Sequence, residues 1–225
     1  MRSFFNWILS LVSRRRALEI ENRRIKAALS ELERSYDITL EALGNALDLK
    51  SGETEGHSKR VTAFTIAIAK KIGLPKEDIR VIARGAFLHD IGKMAVPDQI
   101  LKADKLTPGD MEIMKEHALH GYKIVKNIPV LQGAAEIVYS HHERYDGSGY
   151  PRGLKGEEIP LGARIVAVAN TLDSITSELP FRPARTLEAA RKEIELWSGR
   201  QFDPQIVKAF LEIPDDLWRG LGGSS

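Results

Sequence analysis

KEDIRVIARGAFLHDIGK, Lys76 to Lys93, decides the fold class. Ile79, Ile82, Ala83 and Ala86 recur at spacings of three and four, the period of an amphipathic helix and not the two-residue alternation of a strand. Carried on at about 100° per residue, the same face takes in His89, close to Ile82, and Asp90, within about 20° of Ile79. The spacing therefore predicts a helix from Lys76 to about Gly92 whose core-facing side ends in an imidazole and a carboxylate.

Working outward, the rest of the chain reads the same way. Upstream, Val61, Phe64 and Ile68 mark a helix that Gly73 and Pro75 close. Downstream, Thr107-Pro108-Gly109-Asp110 supplies an N-cap, a proline at the first helical position and an acid three residues after the cap. A helix with Met111, Met114, Ala118, Gly121 and Val125 on one face follows. Further segments run from Ala134 to His142, from Ala163 to Ile175, from Leu187 to Trp197 and from Pro204 to Leu211. RIVAVA, Arg164 to Ala169, has the composition of a buried strand, but no alternating pattern accompanies it. The expected class is all-α, a compact multi-helix bundle without internal repeats.

The first quarter differs in character. Phe4 to Val12 is apolar but far shorter than the roughly 20 residues that span a bilayer, and Arg14, Arg15 and Arg16 follow it where a secretory signal would place its basic residues first. Residues 1–16 are read as an interfacial anchor or a membrane-proximal stub, or more plainly as a frayed leader, with the arginines on the cytoplasmic side. From Ala17 to Leu49 there is no proline, and Ile25, Leu29, Leu32, Tyr36, Leu40, Leu43 and Leu47 form a narrow helical seam. Flanking charges such as Glu31, Glu33 and Arg34 suit a parallel coiled-coil homodimer, while the part after Tyr36 is equally suited to packing on the chain's own core. The expected division is a leader over 1–16, a helical linker or coiled coil over 17–36, a globular domain over 37–215 and a flexible tail over 216–225.

Composition narrows the chemistry. The 225 residues are 43% hydrophobic, enough for one sizeable core. With no cysteine there is no disulfide framework or thiolate metal site. A net charge of +2 carries no signature of binding to polymeric nucleic acid.

The histidines carry the functional signal. His117 falls between Met114 and Gly121 on its helix, whereas His120 turns toward water; His141 and His142 continue the stripe of Ala134, Ile137 and Val138. One imidazole on an apolar face is ordinarily a hydrogen-bonded core residue. Several of them with a carboxylate, on faces that must converge in one core, call for something that satisfies buried Asp90 and the imidazole nitrogens together, and a metal ion does so. Glu53 and His57, at i and i+4, would add two ligands if their segment is helical, and a solvated loop if it is not. Oxygen and nitrogen donors without sulfur suit iron, manganese or zinc in an open site. The ligands exceed one ion's needs, which favours a pair, and paired ions support phosphoester hydrolysis.

FLHDIGK, the upstream ETEGH, KEH, HHERYDGSGYP and RIVAVAN, in that order, resemble the HD-GYP proteins of the HD phosphohydrolase superfamily over about Asp37 to Leu211. The resemblance implies an HD-type helical bundle that hydrolyses cyclic di-GMP, a bacterial second messenger, to linear pGpG or GMP in signal transduction. It implies two or three divalent ions, iron or manganese, with a bridging hydroxide attacking phosphorus. By matching position the ligands fall on Glu53, His57, His89, Asp90, His117, His141, His142 and Asn170. Asp90 and Lys93 carry the catalytic roles, with Lys93 stabilising the phosphate. Tyr150 of the Gly149-Tyr150-Pro151 turn borders the substrate opening, and Arg182, with Arg185 as a further cation, holds the dinucleotide. A cytoplasmic location, at or near the inner membrane face, follows from the same resemblance and the basic cluster.

Two departures stand out. Asn170 replaces an aspartate and so offers an oxygen without its charge. In SELPFRPAR, Leu179 stands for the first of two arginines and Phe181 for a tyrosine, while Arg182 keeps the second cation; leucine does not replace a guanidinium on phosphate. These keep open a catalytically impaired domain that binds metal or nucleotide and signals through a partner, and a phosphodiesterase for another cyclic dinucleotide.

Overall fold

The computed structural model describes residues 2–51, 54, 56–103, 105–178 and 182–222, with side chains from residue 14 onward except that of residue 17. Glu53, Leu179 and Phe181 lie outside the described residues. Among the described residues the chain is helical and contains no strand; an isolated bridge joins Ser198 and Phe202. It divides into two units, residues 1–42 and residues 43–225.

The first unit belongs to a single helix, α1 (Arg2–Ser51), longer than the Ala17–Leu49 span that the seam alone indicates. Most of its large apolar side chains, among them Leu18, Ile25, Leu29, Leu32 and Tyr36, are exposed, whereas Leu47 near the end of α1 is buried. No helix among the described residues is long and apolar enough to cross a membrane.

The second unit is built around α2 (His57–Ile72), α3 (Lys76–Phe87) and α8 (Leu161–Thr176). Val61, Phe64 and Ile68 of α2 pack with Ile82 and Ala86 of α3 and with Ile165, Val166, Val168, Ala169 and Leu172 of α8 in one core. RIVAVA sits inside α8, where a helix apolar nearly all round belongs at the centre of the bundle; the run is too long for one strand. Gly73 ends α2 in the left-handed conformation, φ 88°. Short α4 (Asp98–Leu101) precedes α5 (Pro108–Lys115), which starts with the expected box: the Thr107 side chain accepts from the Asp110 amide while Asp110 accepts from the Thr107 amide.

Three segments depart from the periodicity reading. The helix expected to reach Gly92 ends at Phe87, and Ile91–Ala95 continues as a 3₁₀ helix. The helix expected from Thr107 to Val125 breaks at Glu116 into α5 and α6 (His117–Val125). Both interruptions fall beside a histidine, at His89 and His117. Close packing between them leaves no space for a side chain at Gly92, where a Cβ would overlap the His117 carbonyl and the Gly121 amide. After α7 (Gln132–Ser140), α9 (Leu187–Leu196) and α10 (Pro204–Leu211), the stretch expected to be a tail forms α11 (Asp215–Gly222). Its Trp218 is buried against Phe64 and Phe210, at ring distances of 5.6 and 5.2 Å. An amphipathic turn of eight residues offers too few periodic positions to be seen from spacing.

Candidate metal centre

Six of the eight proposed ligands come together in the second unit. Asp90, His117, His141 and His142 form one group and His57, His89 and Asp90 another, each group with its ligand atoms within 4.8 Å of one another. Asp90 is common to both. His57 comes from the first turn of α2, His89 and Asp90 from the turn after α3, His117 from the first residue of α6, and His141 and His142 from the end of α7.

The backbone aims the imidazoles. His89, His117 and His141 each donate from Nδ1 to the carbonyl three residues earlier, Ala86, Met114 and Val138, at 2.7, 2.6 and 2.8 Å. This arrangement leaves Nε2 of each ring as the free donor atom, turned inward. Nε2 of His117 and of His141 lie 3.3 and 3.6 Å from Asp90 Oδ1, and Nε2 of His89 lies 3.2 Å from Asp90 Oδ2. His117 Nε2 and His141 Nε2 are 3.3 Å apart. The helix ends at Phe87 and Glu116 thus bring an i−3 carbonyl to the His89 and His117 rings.

The donor set fits divalent metal. His89 Nε2 is buried and makes no hydrogen bond: its approach to Asp90 is close but poorly aligned. Imidazole ring nitrogens that converge on a buried carboxylate and on one another are poorly satisfied without a cation. Burial lowers His141 to about 4 and holds His142 well below its ordinary 6.5, helped by the neighbouring imidazoles, so both rings are neutral and ready to coordinate near pH 7. Asp90 is held well below 3.8: burial alone would raise it, but the adjacent His89 and Lys93 more than offset that.

Other side chains support these. Lys93 donates from Nζ to Asp90 Oδ2 at 2.7 Å. Tyr150 stacks on His142 at 4.7 Å, with Lys115 Nζ 5.7 Å from its ring centre. Burial, and then the Asp90 charge, push the Tyr150 hydroxyl up, so it stays a donor. Its turn is pinned by buried Glu143, which accepts from the amides of Arg152 and Leu154 at 2.7 and 3.1 Å. Gly149 is obligatory, because a Cβ would enter the backbone of His142, Glu143 and Arg144. Asn170 lines a cavity of about 250 Å³ with His141, His142 and Tyr150.

Neither of the two proposed arginines lines the cavity of His141 and His142. Arg182 donates to the Ser174 carbonyl near the end of α8. Arg185 pairs with Glu193 at 2.6 Å and lines a second cavity, of about 900 Å³, that also touches Arg60.

Asp173 escaped the sequence reading. It is 1% exposed, accepts from His57 Nδ1 at 2.7 Å, and is held by Arg60 Nε at 2.5 Å; Arg60 also donates to Thr54 Oγ1 at 2.6 Å. Burial opposes its ionisation, but the bonds from His57 and Arg60 bring its pKa down. A carboxylate that orients a ligating imidazole through the ring's other nitrogen is a common support in metal sites. The signal was a lone carboxylate inside the apolar run Ala163–Ile175, where burial demands a partner.

A buried carboxylate shared by two clusters of imidazoles thus lies within an all-helical bundle. A family model described as "HD domain" matches residues 41–206. The chain belongs to the HD domain family, in its HD-GYP branch. It is 42% identical over 201 residues to the cyclic di-GMP phosphodiesterase response regulator RpfG of Xanthomonas campestris, covering 88% of this chain and 53% of that protein. It is 44% identical over 181 residues to a cyclic di-GMP phosphodiesterase of Thermotoga maritima, covering 79% of this chain and 49% of that protein. The chain thus spans about half the length of these curated relatives. Among solved structures, a cyclic GMP-AMP specific phosphodiesterase of V. cholerae superimposes with a TM-score of 0.67 at 20% identity, over 83% of this chain and 50% of that one.

Proposed function

We propose that this chain is a metal-dependent phosphodiesterase that opens cyclic di-GMP to linear pGpG or GMP. The observation that carries it is Asp90, whose two carboxylate oxygens face two separate imidazole groups, the arrangement that a pair of ions requires. His57, His89 and Asp90 would hold one ion, and Asp90, His117, His141 and His142 the other, with Glu53 and Asn170 completing the set. Iron or manganese suits these donors. When bound, the ions supply Lewis acidity and an activated water for attack on phosphorus.

The chain's own groups do the rest. Lys93 adds a cation where phosphoryl charge grows, and through its bond to Asp90 it keeps that carboxylate ionised and turned inward. Tyr150 offers a protonated hydroxyl at the cavity rim, and its stacking on His142 keeps the turn closed over the ring. Arg182 would orient the second half of the dinucleotide. The relatives named as cyclic di-GMP phosphodiesterases support this substrate. A 36% identical protein of Vibrio cholerae named a 3'3'-cGAMP-specific phosphodiesterase favours a second reading, a mixed cyclic dinucleotide, in which Leu179 in place of an arginine alters base or phosphate recognition.

Incubation with cyclic di-GMP or 3'3'-cGAMP and Mn²⁺ or anaerobic Fe²⁺, with the nucleotides resolved chromatographically, tests both. Linear product from the first and little from the second supports the leading reading. The reverse favours the second, and retained but uncut nucleotide would make the chain a binding module. The remaining parts of the reading are a homodimer formed through α1, membrane proximity of the Arg14–Arg16 end on the cytoplasmic side, and a domain running from 37 to 215.

A further inference from the structure

The exposed seam of α1 follows a heptad without interruption. Leu18, Ile25 and Leu32 occupy successive d positions, with Thr39 next, and Asn22, Leu29, Tyr36 and Leu43 occupy the a positions between them. All eight are exposed, the large apolar ones between 45% and 60%. The pattern stops where Lys50, at the next a position, turns away to bind Asp98 at 2.6 Å. An isolated helix with this much apolar surface in one stripe needs a partner helix.

We infer that the partner is a second copy of this chain, aligned parallel and in register as a two-stranded coiled coil, with Asn22 setting both the register and the strand number. This rests on the reading that α1 mediates dimerisation, and adds its geometry. The flanking charges select the alignment. In a parallel pair the g position of one heptad faces the e position of the next on the partner helix. That brings Arg14 to Glu19 and Glu21 to Lys26 of the second copy, opposite charges in both cases. An antiparallel pair overlapping from Leu18 to Tyr36 instead sets Glu19 against Glu33 and Lys26 against its own copy. Like charges at those distances disfavour it. Asn22 belongs to the same logic: opposite itself, its amide side chain pairs across the seam, whereas in the antiparallel alignment it faces Leu32 and in one shifted by a heptad one copy's Asn22 faces Leu29, where it stays unsatisfied.

The chain has no cysteine, so single-cysteine variants of the full protein report the geometry directly. Light scattering during gel filtration is expected to give the mass of a dimer. Leu29→Cys, in the seam, is expected to form a disulfide-linked dimer rapidly under mild oxidation, and Ala27→Cys, on the outer face, is not. Mixing Leu18→Cys with Tyr36→Cys is expected to give no mixed product. Asn22→Leu is expected to loosen the specification, giving species larger than a dimer. A monomer at tens of micromolar would sink the dimer itself. A dimer with strong Leu18–Tyr36 cross-linking, or with equal cross-linking at Leu29 and Ala27, would leave a dimer but overturn its parallel, in-register form. A wild-type trimer or tetramer would overturn the strand number. None of these readouts uses turnover, so they stand apart from the fate of the phosphodiesterase reading.

Discussion

Asp90 and Asp173 show how two carboxylates divide the work. Asp90 sits between the imidazole groups, while Asp173 sits behind His57 and fixes its ring through Nδ1. Replacing Asp173 by asparagine removes the charge that holds His57 and Arg60, and the cost should be read first in metal. Losses of about 10- to 100-fold in affinity follow removal of such supporting partners. Asp173→Asn is therefore expected to lower metal content after dialysis, measured by elemental analysis, with helicity by circular dichroism unchanged. Asn170 predicts the opposite sign. It lines the cavity beside His141 and His142 with a neutral amide, so Asn170→Asp adds charge to a cationic centre and should raise metal retention and turnover together. If the unaltered protein carries full metal and the substitution changes neither, Asn170 is no handicap. Neither residue's role can be separated from spacing alone: both lie on one apolar helix, three residues apart, and only the packing of α8 against α2 decides which of them meets His57.

At the level of elements, the site depends on where helices stop. Periodicity was enough to place the apolar faces of α2, α3, α7 and α8 and to send His89, Asp90, His117, His141 and His142 inward. It could not see the ends at Phe87 and Glu116, because His89 and His117 continue the helical stripe as well in projection as they do after a turn. Beside both ends lies a tertiary contact, the approach of the Ile91–Ala95 turn to α6 through Gly92. A methyl group there meets the carbonyl of His117 and the amide of Gly121, backbone atoms that cannot rotate aside. Gly92→Ala is expected to destabilise the domain by about 1–3 kcal/mol, typical of overpacking, and to lower metal content beyond what that loss explains by shifting His117. Thermal unfolding compared with and without excess Mn²⁺ checks it: a variant destabilised only by packing keeps the full metal-induced rise in melting temperature, whereas a displaced His117 diminishes it.

For the whole molecule, a buried cluster of imidazoles makes folding, protons and metal compete for the same atoms. Ions at about 100 times their dissociation constant stabilise the folded chain by about 2.7 kcal/mol, or roughly 5–10 °C in melting temperature at this size. Without metal the titration sets the pattern. His141 takes up a proton near 6.5 when unfolded but only near 4 when folded, because burial opposes its charge. Between those values the unfolded chain binds more protons, so stability falls as the pH falls through this window and is fully present above it. His142 acts in the same direction, and Asp90 and Asp173, both held below 3.8, lose their contribution at still lower pH. The metal-free protein is thus expected to lose melting temperature steadily from about pH 6.5 to pH 4. His141→Asn, which removes the group that titrates there, should flatten the profile relative to the unaltered protein. A melting temperature that stays level across the window, or rises as the pH falls, would mean that the folded chain already carries protons on these rings, and a cluster charged in that way could not be standing ready for cations.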